Sequence, residues 1–374
     1  MKGRKLLMIP GPIEVEPAVM QAVGMPATSH VAPDFIGSFG RSLEMMREVW
    51  LAPSGQPFIM AGSGTLAMDM AGSNLIEPGD NALVISTGYF GDRYADLLKR
   101  YGAVVTLLKA PLGDVVRPTV IEEELNRKRY KMMTFTHVDT STAVRVDPEP
   151  LGRMGEKYGV LTVLDGVCSV AGEEIRQDEW KLDVVLTASQ KAVGVPPGLA
   201  LMVVSERAIQ AWKERKTPAG SYYSDWNHWL PVMRAYEERR PAYFGTPAVN
   251  LVMGLEVSLG LIMKEGMEGR FKRHKLIGKM FREAMRSMGL KMIPVSDDVS
   301  AGTLSAPLYP EGVKAADFMK SISTSDVILA GGLLPDMKDK YFRVGHMGAV
   351  TNGDILATVA SVERALKECG YVTA

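Results

Sequence analysis

Between residues 81 and 204 the chain alternates two periods, and this alternation restricts its fold more than any other feature. Short apolar runs with strand character are NALVIS (81–86), AVVTLL (103–108), KMMTFT (131–136), GVLTVLD (159–165), LDVVLTA (182–188) and GLALMVV (198–204). Helix-like stretches lie among them at 66–75, 93–101, 118–128 and 151–158. Strands that are apolar along their whole length have no side suited to water. They predict a mainly parallel sheet covered by helices on both faces. Ligands of such sheets sit on the loops at the carboxyl ends of the strands. His137, Asp165 and Lys191 all fall at or just after the ends of strand-like runs.

The pattern changes after about residue 205. Residues 206–240 are rich in Trp, Tyr and Arg, and helical stretches follow at 247–264 and 267–288. Then come LKMIPV, GTLSAPLY, a helix over 314–323, DVILAGG, YFRVG and a last helix over 352–369. This interleaving predicts a smaller α+β domain. A length of 374 residues also exceeds one ordinary core.

Charge excludes several partners. Lys+Arg and Asp+Glu balance at 43 each, so no global field favours nucleic acid or an anionic membrane. No run of about 18 apolar residues exists to span a bilayer, and Pro10-Gly11-Pro12 ends the first apolar run too early for a secretion signal. Cys168 and Cys369 are far apart in unlike contexts. They predict neither a disulfide framework nor a metal site, and the reducing cytoplasm is the default compartment.

Lys191, in SQKAVGVPPG, lies on a turn between two apolar runs, and stiff apolar residues follow it. Asp165 closes the run GVLTVLD, where an unpaired carboxylate is costly and calls for a cationic partner. A held lysine and a carboxylate at a neighbouring strand end are the minimum set for pyridoxal phosphate. The lysine forms a Schiff base and the carboxylate keeps the pyridine nitrogen protonated.

Other segments can complete such a site, and each has a plainer alternative. GSGTLAM (62–68) opens a helix and suits a phosphate through backbone N–H groups and Ser63 or Thr65; ordinary capping explains it equally. Phe90 in STGYFGDR can lie flat on a heteroaromatic ring or pack in a core. The hydroxyls of THVDTSTA (136–143) can donate to a ring substituent, while Asp139, Thr140 and Ser141 are equally good turn formers. His137 suits a structural histidine. Arg343, in the apolar FRVGHMG, fits a bidentate clamp on a substrate carboxylate or a structural ion pair. Tyr243 and Thr246 place two hydroxyls before a helix.

Nine segments in order give the chain a resemblance to the class V aminotransferases of fold type I, and within them to the alanine–glyoxylate and serine–pyruvate (or serine–glyoxylate) aminotransferases. They are PGP (10–12), SHVAPDF (29–35), GSGT (62–65), GYFGDR (88–93), DTST (139–142), LDGVCS (164–169), SQKAVGVPPG (189–198), YFGTP (243–247) and FRVGHMG (342–348). The resemblance implies an α/β fold with a large, mostly parallel seven-stranded sheet domain over 16–255, a smaller α+β domain over 256–374, and an arm over 1–15 joining the smaller one. It implies that Lys191 forms the Schiff base and carries the proton between substrate and cofactor. Asp165 pairs with the pyridine nitrogen, Phe90 stacks on the ring where the family often has tryptophan, and Thr140 lies beside it. Ser63, Gly64, Thr65 and Gln190 hold the phosphate. Tyr243 and Thr246 reach the phosphate of a neighbouring subunit, which implies a homodimer with shared sites. Arg343 holds the substrate carboxylate. The implied reaction is ping-pong transamination of alanine or serine with glyoxylate or pyruvate.

Alternatives within the same fold are a donor such as ureidoglycine or an aminophosphonate. Arg343 argues against the aminophosphonate. A cysteine desulfurase needs a cysteine on a mobile loop of the small domain, and neither Cys168, beside Asp165, nor Cys369, in the last helix, meets that need. A phosphate-binding module without chemistry would not require Lys191 and Asp165.

Overall fold

The computed structural model describes residues 5–372, so the first four residues of the expected arm lie outside the described residues. The strands are β1 (Leu6–Leu7), β2 (Gln56–Ala61), β3 (Asn81–Ser86), β4 (Val104–Lys109), β5 (Met132–Thr136), β6 (Leu161–Asp165), β7 (Val184–Ala188), β8 (Leu199–Val204), β9 (Leu304–Ser305), β10 (Val327–Ile328), β11 (Ala330–Gly331) and β12 (Phe342–Gly345). A seven-stranded sheet has the order β2-β8-β7-β6-β5-β3-β4. Only β8 runs against its neighbours; the other adjacent pairs are parallel. Strands β5 to β8 are buried at every residue, as their unbroken apolar runs require. The strand QPFIMA, not anticipated from periodicity, forms the sheet edge as β2. Its Pro57 is tolerated there because an edge strand needs no donor on its outer side.

Register places the site. Asp165 pairs with Thr136 on one side and Leu186 on the other. The carboxyl ends of β5, β6 and β7 therefore lie level, and the loops bearing Thr140, Asp165 and Lys191 open on the same rim. Helices Gly64–Leu75, Tyr89–Arg100, Pro118–Arg127 and Pro148–Tyr158 fill the crossovers. The second begins four residues before the expected Arg93, for a reason found in the site itself.

Beyond residue 205 come helices Val249–Glu265 and Met267–Ser287, then short sheets β11-β12-β9 and β1-β10. LKMIPV makes no strand. Only Met292 bridges to Pro307, since prolines at 294 and 307 remove ladder donors. GTLSAPLY shrinks to β9 for the same reason. DVILAGG divides at Leu329 because β10 pairs with β1 while β11 pairs with β12. Two apolar cores result. One surrounds the large sheet; the other joins Phe281, Phe318, Phe342 and Val362 with Met8 of the N-terminal segment. No described helix is long and apolar enough to cross a membrane.

Candidate active site

Lys191 sits in the loop between β7 and β8, and that loop is held by its own hydrogen bonds. Ser189 N–H donates to Leu199 O at 3.0 Å, and Ser189 Oγ donates to Pro196 O at 2.8 Å. Gly194 N–H donates to Lys191 O at 2.8 Å. The lysine is only 8% exposed, and Nζ donates to the carbonyl of Pro10. Its backbone is fixed by these bonds, and its amine is held at the Pro10 carbonyl.

Asp165, at the end of β6, is buried. Oδ1 accepts from Val167 N–H at 3.1 Å and Oδ2 from Thr136 Oγ1 at 3.5 Å. Burial pushes its carboxyl up to about 6, and the Asp139 carboxylate adds to the shift; the Val167 and Thr136 hydrogen bonds and the Lys191 charge act against it. A cation within reach of Asp165 would relieve that penalty.

A cavity of about 170 Å³ connects these groups. Ser63, Gly64, Thr65, Phe90, Thr140, Asp165, Gln190 and Lys191 all line it, together with Thr136, Val167 and Cys168. A larger cleft of about 630 Å³ elsewhere contains Arg270, but that guanidinium is occupied by Ala171 O, Ala192 O and Glu265.

The helix Gly64–Leu75 points its N-terminus into the small cavity. Its first-turn N–H groups have no intrahelical acceptor, and the Ser63 side chain makes no capping bond. Gln190 faces the same space with a buried, unpartnered carboxamide oxygen, and its amide also carries two donors. Thr65 Oγ1 accepts from Arg93 at 3.0 Å. Uncapped N–H groups, a helix dipole and a nearby guanidinium suit an anion at this end.

Phe90 lies in the first turn of Tyr89–Arg100. No residue preceding that helix supplies a side-chain cap. Asp139 does so from across the cavity rim: Oδ2 accepts from Phe90 N–H at 3.0 Å and Gly91 N–H at 3.4 Å. Its Oδ1 accepts from Ser141 N–H at 2.9 Å, and Ser141 Oγ accepts from Tyr89 N–H at 3.0 Å. This remote cap extends the helix back to Tyr89. It also gives Asp139 a role that its turn-forming tendency does not reveal.

Thr140 Oγ1 lies 2.7 Å from Cys168 Sγ. Arg343, on β12, does not line the cavity but is tied to a residue that does: Nε donates to Gly331 O at 2.9 Å and Nη1 to Thr140 O at 3.2 Å. Among the described residues it has no carboxylate partner, so the structural ion pair is absent there. Tyr341, invisible as a site residue in the sequence, ties the same parts together. Its hydroxyl donates to Ser141 O at 2.6 Å and accepts from Leu333 and Leu334 N–H.

Tyr243 and Thr246 do not line this cavity. Tyr243 is 63% exposed and rests against the ring of His30. His137 is also outside it; burial lowers its pKa well below the ordinary value and keeps it neutral. No group of three or more His, Cys, Asp or Glu residues suited to a metal exists among the described residues.

Pyridoxal phosphate matches this donor set. It has an anionic end for the helix N-terminus, a basic ring nitrogen for the costly Asp165 carboxylate, and an aldehyde for Lys191. The fold is that of the fold type I aminotransferases, and the chain belongs to the class V aminotransferase family, whose model matches residues 20–334. It is therefore an aminotransferase. It is 39% identical over 361 residues to alanine–glyoxylate aminotransferase 1 of Saccharomyces cerevisiae, covering 93% of each chain. It is 36% identical over 369 residues to an uncharacterized aminotransferase of Methanocaldococcus jannaschii, covering 98% of this chain and 94% of the other. The crystal structure of ureidoglycine–glyoxylate aminotransferase from Bacillus subtilis superposes with a TM-score of 0.94 at 26% identity, covering 100% of this chain and 96% of that one.

Proposed function

We propose that the protein moves an amino group from a small amino acid, alanine or serine, to glyoxylate or pyruvate, with pyridoxal 5′-phosphate as cofactor. The observation that carries this reading is the convergence of Lys191, Asp165 and an uncapped helix N-terminus on one cavity, with Arg343 hydrogen-bonded to the backbone of Thr140, one of its lining residues. When bound, the cofactor supplies an aldehyde for amines and a ring that withdraws electrons. Gly64, Thr65 and Gln190 hold its phosphate, with Ser63 beside them. Asp165 would hold the ring nitrogen protonated, and Phe90 and Thr140 would contact the ring.

Arg343 binds the carboxylate that donor and acceptor share. With backbone carbonyls as its only hydrogen-bond partners among the described residues, its guanidinium keeps donors for a two-point grip. That grip fixes the donor Cα–H relative to Lys191. Lys191 Nζ would take that proton and hand it to the cofactor's aldehyde-derived carbon, on the far side of the substrate nitrogen. The same residues serve the second half of the reaction, because the acceptor presents the same carboxylate beside its reacting carbon.

Tyr243 is exposed and lies apart from its own cavity, which supports a role for Tyr243 and Thr246 at the phosphate of a second copy, in a homodimer. The reducing cytoplasm is the compartment we assign by default.

The first test is spectroscopic. Purified protein with pyridoxal phosphate should show a visible Schiff-base band that Lys191→Ala loses or shifts; protein that takes up no cofactor defeats the proposal. The second is a panel of amino donors against glyoxylate and pyruvate. Alanine or serine should lead, and a clear preference for ureidoglycine or aspartate would reassign the donor. Arg343→Ala should raise KM for donor and acceptor alike, by about 10- to 100-fold, as expected for charge-assisted hydrogen bonds. Unchanged KM values for both would remove it from the carboxylate site.

A further inference from the structure

One contact of Lys191 takes no part in the chemistry above. Among the described residues, the hydrogen-bond partner of Nζ is the carbonyl oxygen of Pro10, 181 positions away. The next residue, Gly11, has φ +105°, a left-handed conformation that glycine adopts without steric cost. A Cβ at position 11 would lie 2.6 Å from Lys191 Cδ, 2.7 Å from Nζ and 2.8 Å from Cε. Backbone and lysine are thus in contact along the outer half of the side chain, and no other residue type leaves that room.

The opposite side of this segment is equally close-fitting. A Cβ at Gly345 would lie 2.5 Å from Ile9 C and 2.8 Å from Pro10 Cα. Gly345 ends β12, two residues after Arg343, and its N–H donates to Met8 O at 3.0 Å. Further along, Ile13 N–H donates to Gln190 O at 3.3 Å. Upstream, β1 pairs with β10. The backbone of residues 8–13 is therefore pinned at both ends. It lies between the strand that carries the arginine and the loop that carries the lysine.

We propose that Pro10 and Gly11 form a backbone seat for the Lys191 amine, and that Gly11 and Gly345 are positioning residues for the proton transfer. This rests on the reading of Lys191 as proton carrier. A neutral amine has two N–H bonds and one lone pair. With one N–H on the Pro10 carbonyl, rotation about Cε–Nζ is restricted and the lone pair has a set direction. Once Nζ gains a proton, the same carbonyl accepts from an ammonium, a stronger bond than the neutral one. Gly345 lets the seat rest directly on β12, so the amine and Arg343 hold a fixed spacing. They act on the α-carbon and carboxylate of one substrate, where small misplacements are costly in rate. The seat makes and breaks no covalent bond; it orients a transfer already assigned to Lys191.

The test is a cycle of four cofactor-free proteins followed by thermal unfolding: wild type, Gly11→Ala, Lys191→Ala and the double variant. Strain from alanine at φ +105° is common to both backgrounds, whereas collision with the lysine occurs only when the lysine is present. Gly11→Ala should lower Tm by several degrees more beside Lys191 than beside alanine. A Gly11→Ala protein that folds only together with Lys191→Ala is the same result in extreme form, and equal losses in both backgrounds overturn the seat.

Borohydride trapping of pyridoxal phosphate, read by mass at Lys191, adds a second arm. Gly11→Ala should still retain cofactor on gel filtration but trap it more slowly by about fivefold, the effect of one lost hydrogen bond to the neutral amine. Trapping at the wild-type rate overturns the seat. Absence of trapping in the wild type would instead refute the Schiff-base role, while the unfolding cycle, which uses no cofactor, would still report on the contact.

Discussion

Asp165 closes β6 with its carboxylate buried, and that burial has a sign and a size. Its carboxyl rises from 3.8 to about 6 on folding. Between those values the folded chain holds a proton that the unfolded chain has released. Stability therefore falls as pH rises from about 4 to about 6, and levels off above. Two pKa units correspond to roughly 3 kcal/mol. We expect urea unfolding of the cofactor-free protein to show this loss, and Asp165→Asn to lack it. Asp139 and Glu173 are shifted the same way by burial, so the comparison between wild type and variant isolates Asp165 apart from its coupling to Asp139. Parallel pH profiles would mean that Asp165 is not held as a strained anion. Added pyridoxal phosphate should stabilise the wild type more than the variant at pH 7, because only the wild type gains a pyridinium partner for a buried charge. Residues of this kind are legible in sequence: Asp165 and Lys191 each end or follow an unbroken apolar run. Gly11 is not, because what it touches is 180 residues away and only the fold brings the two together.

At the scale of elements, the helix Tyr89–Arg100 shows where sequence reasoning stops. Its amphipathic pattern is visible from Arg93 onward, but its first turn depends on Asp139, which belongs to another loop. Without that carboxylate the N–H groups of Phe90 and Gly91 lose their acceptor, and the Ser141 hydroxyl loses the Asp139 Oδ1 to which it donates while accepting from Tyr89 N–H. We expect Asp139→Ala to destabilise the protein by about 2 kcal/mol, the range for removing a buried, charged acceptor. Phe90 should also loosen, measurable as faster release of bound pyridoxal phosphate. Asp139→Asn keeps one acceptor oxygen and should lose less on both counts. If the alanine variant matches wild type in stability and release, the remote cap is incidental. The helices that fill crossovers were legible from their own periodicity. The short strands after residue 290 are legible in part: YFRVG holds β12, but prolines and a change of partner cut GTLSAPLY and DVILAGG to two-residue strands that their sequence does not delimit.

At the scale of the whole molecule, the second core, built from Met8 and residues between 277 and 366, supports the division we propose, an arm over 1–15, a large domain over 16–255 and a small one over 256–374, while Ile13, Leu259, Ile262, Tyr341 and Met347 pack into the first core across those boundaries. Met8 belongs to the second core, so the arm is anchored in the small domain while Pro10 and Gly11 reach the lysine of the large one. The exposed aromatics Tyr222, Tyr223 and Tyr243 lie outside either core. They are the kind of surface that a partner covers, since large amphipathic rings concentrate in interfaces. If the partner is a second copy that receives Tyr243 and Thr246 at its phosphate, each site needs both chains. That sharing predicts complementation. A Lys191→Ala protomer keeps a working Tyr243 and Thr246; a Tyr243→Ala, Thr246→Ala protomer keeps a working Lys191. A mixed dimer then contains one complete site and one site lacking all three residues. Co-refolding equal amounts of the two weakly active variants makes half of the dimers mixed, each with one of its two sites restored. Activity should recover to roughly a quarter of wild type. Sites built from a single chain give no recovery, because no pairing of these protomers then restores a complete set.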